Sequence, residues 1–194
     1  MTKRIEESAN LFDYFHLRVA DARASRDLPL SDQSVLYLAQ LMVDRARADR
    51  PAPAADTFAE LHAAAASQPK PADQARTWRE LGDRALHSLG TERERLEARS
   101  VVPLSYYEAM GRQGYRRLDE VMKRNFADAF GTLFTELAAR FDAAVSALNR
   151  ACEAVHRRDE LDQLLEEWIA TGSEEVARRL RLRGVVVARR AVEG

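Results

Sequence analysis

Apolar residues return at intervals of three and four along most of this chain, and nowhere do they settle into the strict alternation of a half-buried strand. That pattern restricts the fold more than any motif does. Side chains repeating this way share one stripe of an α-helix, and a stripe is buried only against another stripe or a sheet. The expected fold class is therefore all-α, a helical bundle of about six to eight helices. The longest stripe is Phe126, Phe130, Leu133, Leu137, Phe141, Ala144, Leu148, Cys152 and Val155. It predicts one long central helix, closed by His156-Arg157-Arg158 at the negative end of its dipole.

Local signals divide the rest. A first helix is expected over 10–24, with Phe12, Phe15, Val19 and Ala22 on one face. Ser31 caps a second, striped by Val35, Leu38, Leu41 and Met42. Arg50-Pro51-Ala52-Pro53 stops it, because proline cannot continue the hydrogen-bond ladder. Thr57 with Glu60, and Ser105 with Glu108, have the spacing of capping boxes. Trp78, Leu81, Ala85 and Leu89 stripe a helix over about 73–88, with Gly90 as its stop. Val101-Val102-Pro103-Leu104 is apolar enough to be expected beneath the fold. Leu161, Leu164, Leu165, Trp168 and Ile169 predict a further helix that Gly172 ends, and Ser173 caps the next.

The 194 residues suffice for one domain, 1–194, that buries about 70% of its unfolded surface without a staple. Within it, 50–72 reads as a proline-flanked peripheral segment and 157–194 as a C-terminal hairpin with a basic tail. No apolar run approaches the ~18 residues of a membrane span. The start, Met1 to Glu7, turns acidic at once and lacks a signal-peptide core, so a cytoplasmic location is expected. Cys152 is the only cysteine, which excludes an intrachain disulfide and a cysteine zinc site. A net charge of −1 gives no general attraction to nucleic acid. Arginine outnumbers lysine 27 to 3, a bias that weakens any inference from arginine clusters alone.

Three pieces, Leu81-Gly82-Asp83-Arg84-Ala85-Leu86, Tyr106-Tyr107-Glu108-Ala109-Met110-Gly111 with Tyr115, and Trp168 with Thr171-Gly172-Ser173, resemble a family of bacterial all-helical proteins of unknown function. The resemblance covers about half the chain. It implies no activity, but it implies that the Gly82 and Tyr106–Tyr115 segments belong to one structural unit.

Three constellations hold possible chemistry. The first is Tyr106, Tyr107, Met110, Gly111, Gly114 and Tyr115. Each helical glycine costs about 1 kcal/mol against alanine, so the pair needs a reason. Close helix packing with Gly82 is the plainer one. A ligand pocket whose tyrosine hydroxyls orient a flat molecule, haem included, is the other. The second is His16, a possible haem or metal ligand near Asp13, beside the Glu153-x-x-His156 spacing. A di-iron bundle needs two true Glu-x-x-His motifs and only one is present. The third is Arg178, Arg179, Arg181 and Arg183, which with Arg189 and Arg190 form a run suited to phosphates or an acidic partner. No aromatic is interleaved for base stacking.

There is no nucleophile elbow, phosphate-cradling loop or metalloprotease motif. The expectation is a non-enzymatic interaction or regulatory module that binds a protein partner or itself, with no cofactor indicated. The alternatives are a small-molecule or haem-type binding protein or enzyme at the tyrosine–glycine helix, and a nucleic-acid binder through the arginines.

Overall fold

The computed structural model describes residues 2–47, 57–126, 131–183 and 185, with side chains described from Leu11 onward except at 99 and 154–160. The fold is all-α, and the described residues contain no strand. The helices are α1 (Thr2–Ser25), α2 (Asp32–Arg47), α3 (Phe58–Ser67), α4 (Pro71–Thr91), α5 (Arg93–Arg99), α6 (Leu104–Asn125), α7 (Leu133–Ala139), α8 (Phe141–Thr171) and α9 (Glu174–Leu182). None of them is long and apolar enough to cross a membrane. The chain divides into two compact units, 1–152 and 153–194.

In the first unit α4 is the hub. It packs on α2, α3, α5 and α6. Its buried residues, Ala75, Trp78, Leu81, Gly82, Asp83, Ala85, Leu86, Leu89 and Gly90, cover more than a single stripe. A face that wide has neighbours on several sides. The stripe from Phe126 to Val155 is not one helix. Phe126 caps α6, Gly131 takes a left-handed φ of 51°, and α7 ends at Arg140. The α7 end is held on the connector after α1. Glu136 accepts from the Ser31 amide at 2.7 Å, and the Arg140 guanidinium donates to the Pro29 carbonyl. The long helix is α8, which begins at Phe141 and continues past 156–158 to Thr171. The side chains of His156, Arg157 and Arg158 lie outside the described residues.

Several local signals hold. Ser31 Oγ accepts from the Ser34 amide at 3.2 Å at the start of α2. The Thr57–Glu60 capping box is complete, at 3.2 and 2.6 Å. Gly172 ends α8 with a φ of 61°. Others do not. Pro103, not Ser105, precedes the first turn of α6, and no side chain caps it. Ser173 stands at the N-cap of α9 without a side-chain bond. Gly90 lies inside α4, and Val101 is fully exposed. Within the 50–72 segment, α3 packs on α4 and α6 through buried Leu61 and Ala65, and residues 50–56 lie outside the described ones.

Among the described residues of the second unit, Leu164, Val176 and Leu180 form a buried cluster, with Leu165, Trp168 and Val185 packed partly against it. It joins the end of α8 to α9 as a hairpin turned at Gly172.

Candidate functional site

Four helical glycines of the first unit stand where a side chain would collide. A Cβ on Gly114 would lie 2.7 Å from the Gly82 amide nitrogen and 3.0 Å from the Trp78 carbonyl oxygen, so α4 and α6 cross backbone to backbone. A Cβ on Gly82 would meet the Tyr115 ring at 2.8 Å. One on Gly111 would run into the Phe141 ring, and one on Gly90 would meet Leu148 Cβ at 2.6 Å. Gly82 and Gly114 are the close-packing residues of the crossing, and Gly90 and Gly111 admit side chains of α8. Phe141 stands against Gly111, and the α4 backbone against Gly114.

The crossing brings Tyr115 to Asp83, and α2 adds Tyr37. Asp83 is 7% exposed, and Tyr115 is fully buried. Tyr37 donates to Asp83 Oδ1 at 2.5 Å, and Tyr115 donates to the same oxygen at 2.8 Å. Arg79, one turn before Asp83, lies 3.4 Å from Oδ2 and donates through Nε to the Tyr37 hydroxyl at 3.1 Å. Its guanidinium also lies over the Tyr37 ring, 5.2 Å from the centroid. Tyr37, Tyr115 and Phe134 pack edge-on and stacked around this centre.

Burial decides the protonation of the group. It raises the Asp83 carboxyl above the ordinary value, against the opposing pull of Tyr37, Arg79 and Tyr115. Burial and then the Asp83 charge push both tyrosine hydroxyls well up, so they remain donors. Desolvation works against charged Arg79, but Tyr37 and Asp83 outweigh it and raise it overall. The hydrogen bonds therefore run in one direction, from Arg79 to Tyr37 to Asp83, with Tyr115 closing from the other side. No buried side-chain nitrogen or oxygen among the described residues lacks a partner. The centre ties α2, α4 and α6 together.

Two clefts flank α4. One, of about 370 Å³, is lined by Leu41, Asp44, Arg45, Arg76, Arg79, Glu80 and Asp83. Its charges are matched: Arg45 and Arg84 hold Glu80, Arg79 holds Asp83, and Arg76 holds Asp73. The other, of about 240 Å³, lies among α3, α4 and α6 and includes His62, Trp78 and Gln113. There the Gln113 side-chain amide donates to His62 Nε2 at 2.8 Å.

The six residues singled out on α6 scatter. Tyr107 shares a 2.9 Å hydrogen bond with Ser100 and packs edge-on against Phe58 and Tyr106. Met110 is half-buried, Gly111 and Gly114 face α8 and α4, and Tyr115 turns into the core. None of the six lines either cleft. His16 is half-buried and stacks on Phe12 at 5.9 Å. Among the described residues no group of histidine, cysteine and carboxylate side chains is placed to hold a metal ion. Burial pushes the Cys152 thiol up to about 11, so it is an inert thiol rather than a thiolate. Arg178 pairs with Glu175 and Arg181 with Glu174, both at 2.9 Å, and Arg179 and Arg183 are exposed. Arg189 and Arg190 lie outside the described residues. Asp83, Tyr37 and Arg79 are not among the sequence candidates. The one signal in the sequence is an aspartate set among Leu81, Gly82, Ala85 and Leu86.

Searches with protein-family models, against curated proteins and against solved structures return no match to this chain.

Proposed function

We propose that this chain is a non-enzymatic interaction module and that the α8–α9 hairpin is the surface it presents. One observation carries the reading. Leu164, Val176, Ala177 and Leu180 are buried in the hairpin, yet Ile169 is 73% and Leu182 81% exposed, and Leu161, Leu165 and Trp168 are only half covered. Exposed apolar side chains that continue a buried helix face favour burial against something further. The hydrogen bonds of the Tyr37–Asp83–Tyr115 centre are satisfied within the centre, which favours a structural role for it over a catalytic one. The arginine run supports nucleic-acid binding less well, because Arg178 and Arg181 are engaged by glutamates of their own helix.

The test places a photo-crosslinking residue at 169 in the full chain. The reading expects adducts of discrete mass, lost when Leu165 is also changed to Asp. Absence of any adduct, together with slow thiol labelling of Ile169→Cys, would mean that the chain itself covers this face, and the reading would fall.

A further inference from the structure

The geometry points to a ligand site in the cleft among α3, α4 and α6, one that takes a small flat monocarboxylate on the Trp78 indole N–H and the Arg124 guanidinium. The site lies within the first unit and does not depend on the hairpin.

Helix spacing builds the cleft. Gln74 and Trp78 stand one turn apart on α4, and Gln113, Arg117 and Arg124 share one face of α6. His62 of α3 closes one side through its bond to Gln113. Trp78 is 3% exposed and packs edge-on against His62, with ring centroids 5.1 Å apart. Its indole nitrogen has no hydrogen-bond partner among the described residues. Every fully buried side-chain nitrogen and oxygen among them does have one, so the indole N–H reaches solvent, and the cleft is where Trp78 meets it. An indole N–H only donates, so it calls for an acceptor. Gln74, half-buried beside it, has no side-chain hydrogen bond among the described residues either.

Charge selects the kind of acceptor. Two arginines and one glutamate line the cleft, which leaves one positive charge over. Arg117 is held by Glu120 at 2.8 Å. Arg124, one turn beyond Glu120, is exposed and has no ion pair among the described residues. A single surplus charge beside a carboxylate favours a monoanion over a dianion. The flat fork of a guanidinium matches the plane of a ligand carboxylate. The Trp78 and His62 rings, with Ala66 and Val121, offer an apolar wall to the rest of the molecule. A volume of about 240 Å³ has room for roughly eight waters, which suits one ring with its carboxylate. The cleft beside Asp83 offers no such opening, because Arg45, Arg76 and Arg79 are all engaged there.

Nitrogen–proton correlation spectra of the full chain test the site, with benzoate as the probe. The Trp78 indole peak should move saturably, with a Kd of about 1 mM or tighter. The Trp168 indole peak, assigned by its loss in Trp168→Phe, should stay in place as the internal reference. Arg124→Gln should weaken binding at least threefold at unchanged helicity. Benzamide, which keeps the shape without the charge, should bind at least tenfold more weakly, and equimolar inorganic phosphate should displace no benzoate. A Trp78 peak that benzoate leaves unmoved, or moves only in step with Trp168, overturns the inference. An affinity indifferent to Arg124→Gln, equal binding of benzamide, or displacement by phosphate each overturns it as well. None of these outcomes bears on the hairpin, whose reading stands or falls by the crosslinking at 169.

Discussion

Asp83 shows how a single residue sets the chemistry of its neighbourhood. Its carboxylate is removed from water and compensated by two tyrosine hydroxyls and an arginine. Truncation to alanine leaves both hydroxyls buried without an acceptor. Asp83→Ala should therefore cost about 3 kcal/mol or more, and Tyr115→Phe about 1 kcal/mol, both read by urea unfolding. The raised carboxyl also has a pH signature. The folded chain binds this proton more tightly than the unfolded chain, so the contribution is full below the ordinary value of 3.8 and is lost as pH rises through the folded value. Asp83→Asn should remove that segment of the stability–pH curve, and an unchanged curve would assign it to another group. Gly114 is a steric case: a methyl there meets the α4 backbone, which cannot step aside, so Gly114→Ala should cost about 2–3 kcal/mol.

Among the elements, those bounded by local chemistry are legible in the sequence itself. Thr57 and Glu60 fix the start of α3 by contacts within one turn, and Gly172 fixes the end of α8 by its own φ. Thr57→Ala should lower α3 protection in amide exchange by about 1 kcal/mol, with the rest of the first unit unmoved. Ser105 is not the cap its spacing suggests, because Pro103 and Leu104 begin α6 earlier. The break between α7 and α8 is illegible because Arg140 carries no helix-breaking chemistry, and the stripe runs through it undisturbed. The end of α7 coincides with an attachment to Pro29 and Ser31, far away in sequence. The candidate site divides the same way. The glycines advertise a close approach, but the partners of Tyr115 depend on which polar residue of α2 and α4 the crossing brings to it. A stripe of Val35, Leu38, Leu41 and Met42 gives no place to Tyr37.

Over the whole molecule, acid acts on the two units in opposite senses. Protonation of Asp83 relieves a buried charge in the first. In the second, Glu175 is held below its ordinary value of 4.5 by its hydrogen bond and charge pairing with Arg178, so its contribution is present above that value and lost as pH falls through the folded one. The two tryptophans report separately, Trp78 in the core around α4 and Trp168 in the hairpin. With Trp168→Phe and Trp78→Phe as single reporters, denaturation at pH 4 and pH 7 should move the hairpin transition down relative to the first unit's on acidification. Transitions that shift together would refute the opposed titration.

The helix crossing has one more consequence, and it concerns how this sequence can drift. Gly82 faces Tyr115, Gly111 faces Phe141 and Gly90 faces Leu148, each at a distance that leaves no room for a methyl group. Bulk at one member of a pair is admissible only if its opposite shrinks. Change in this core must therefore travel in couples, and a library randomised at 82 and 115 together should yield folded variants that neither position yields alone.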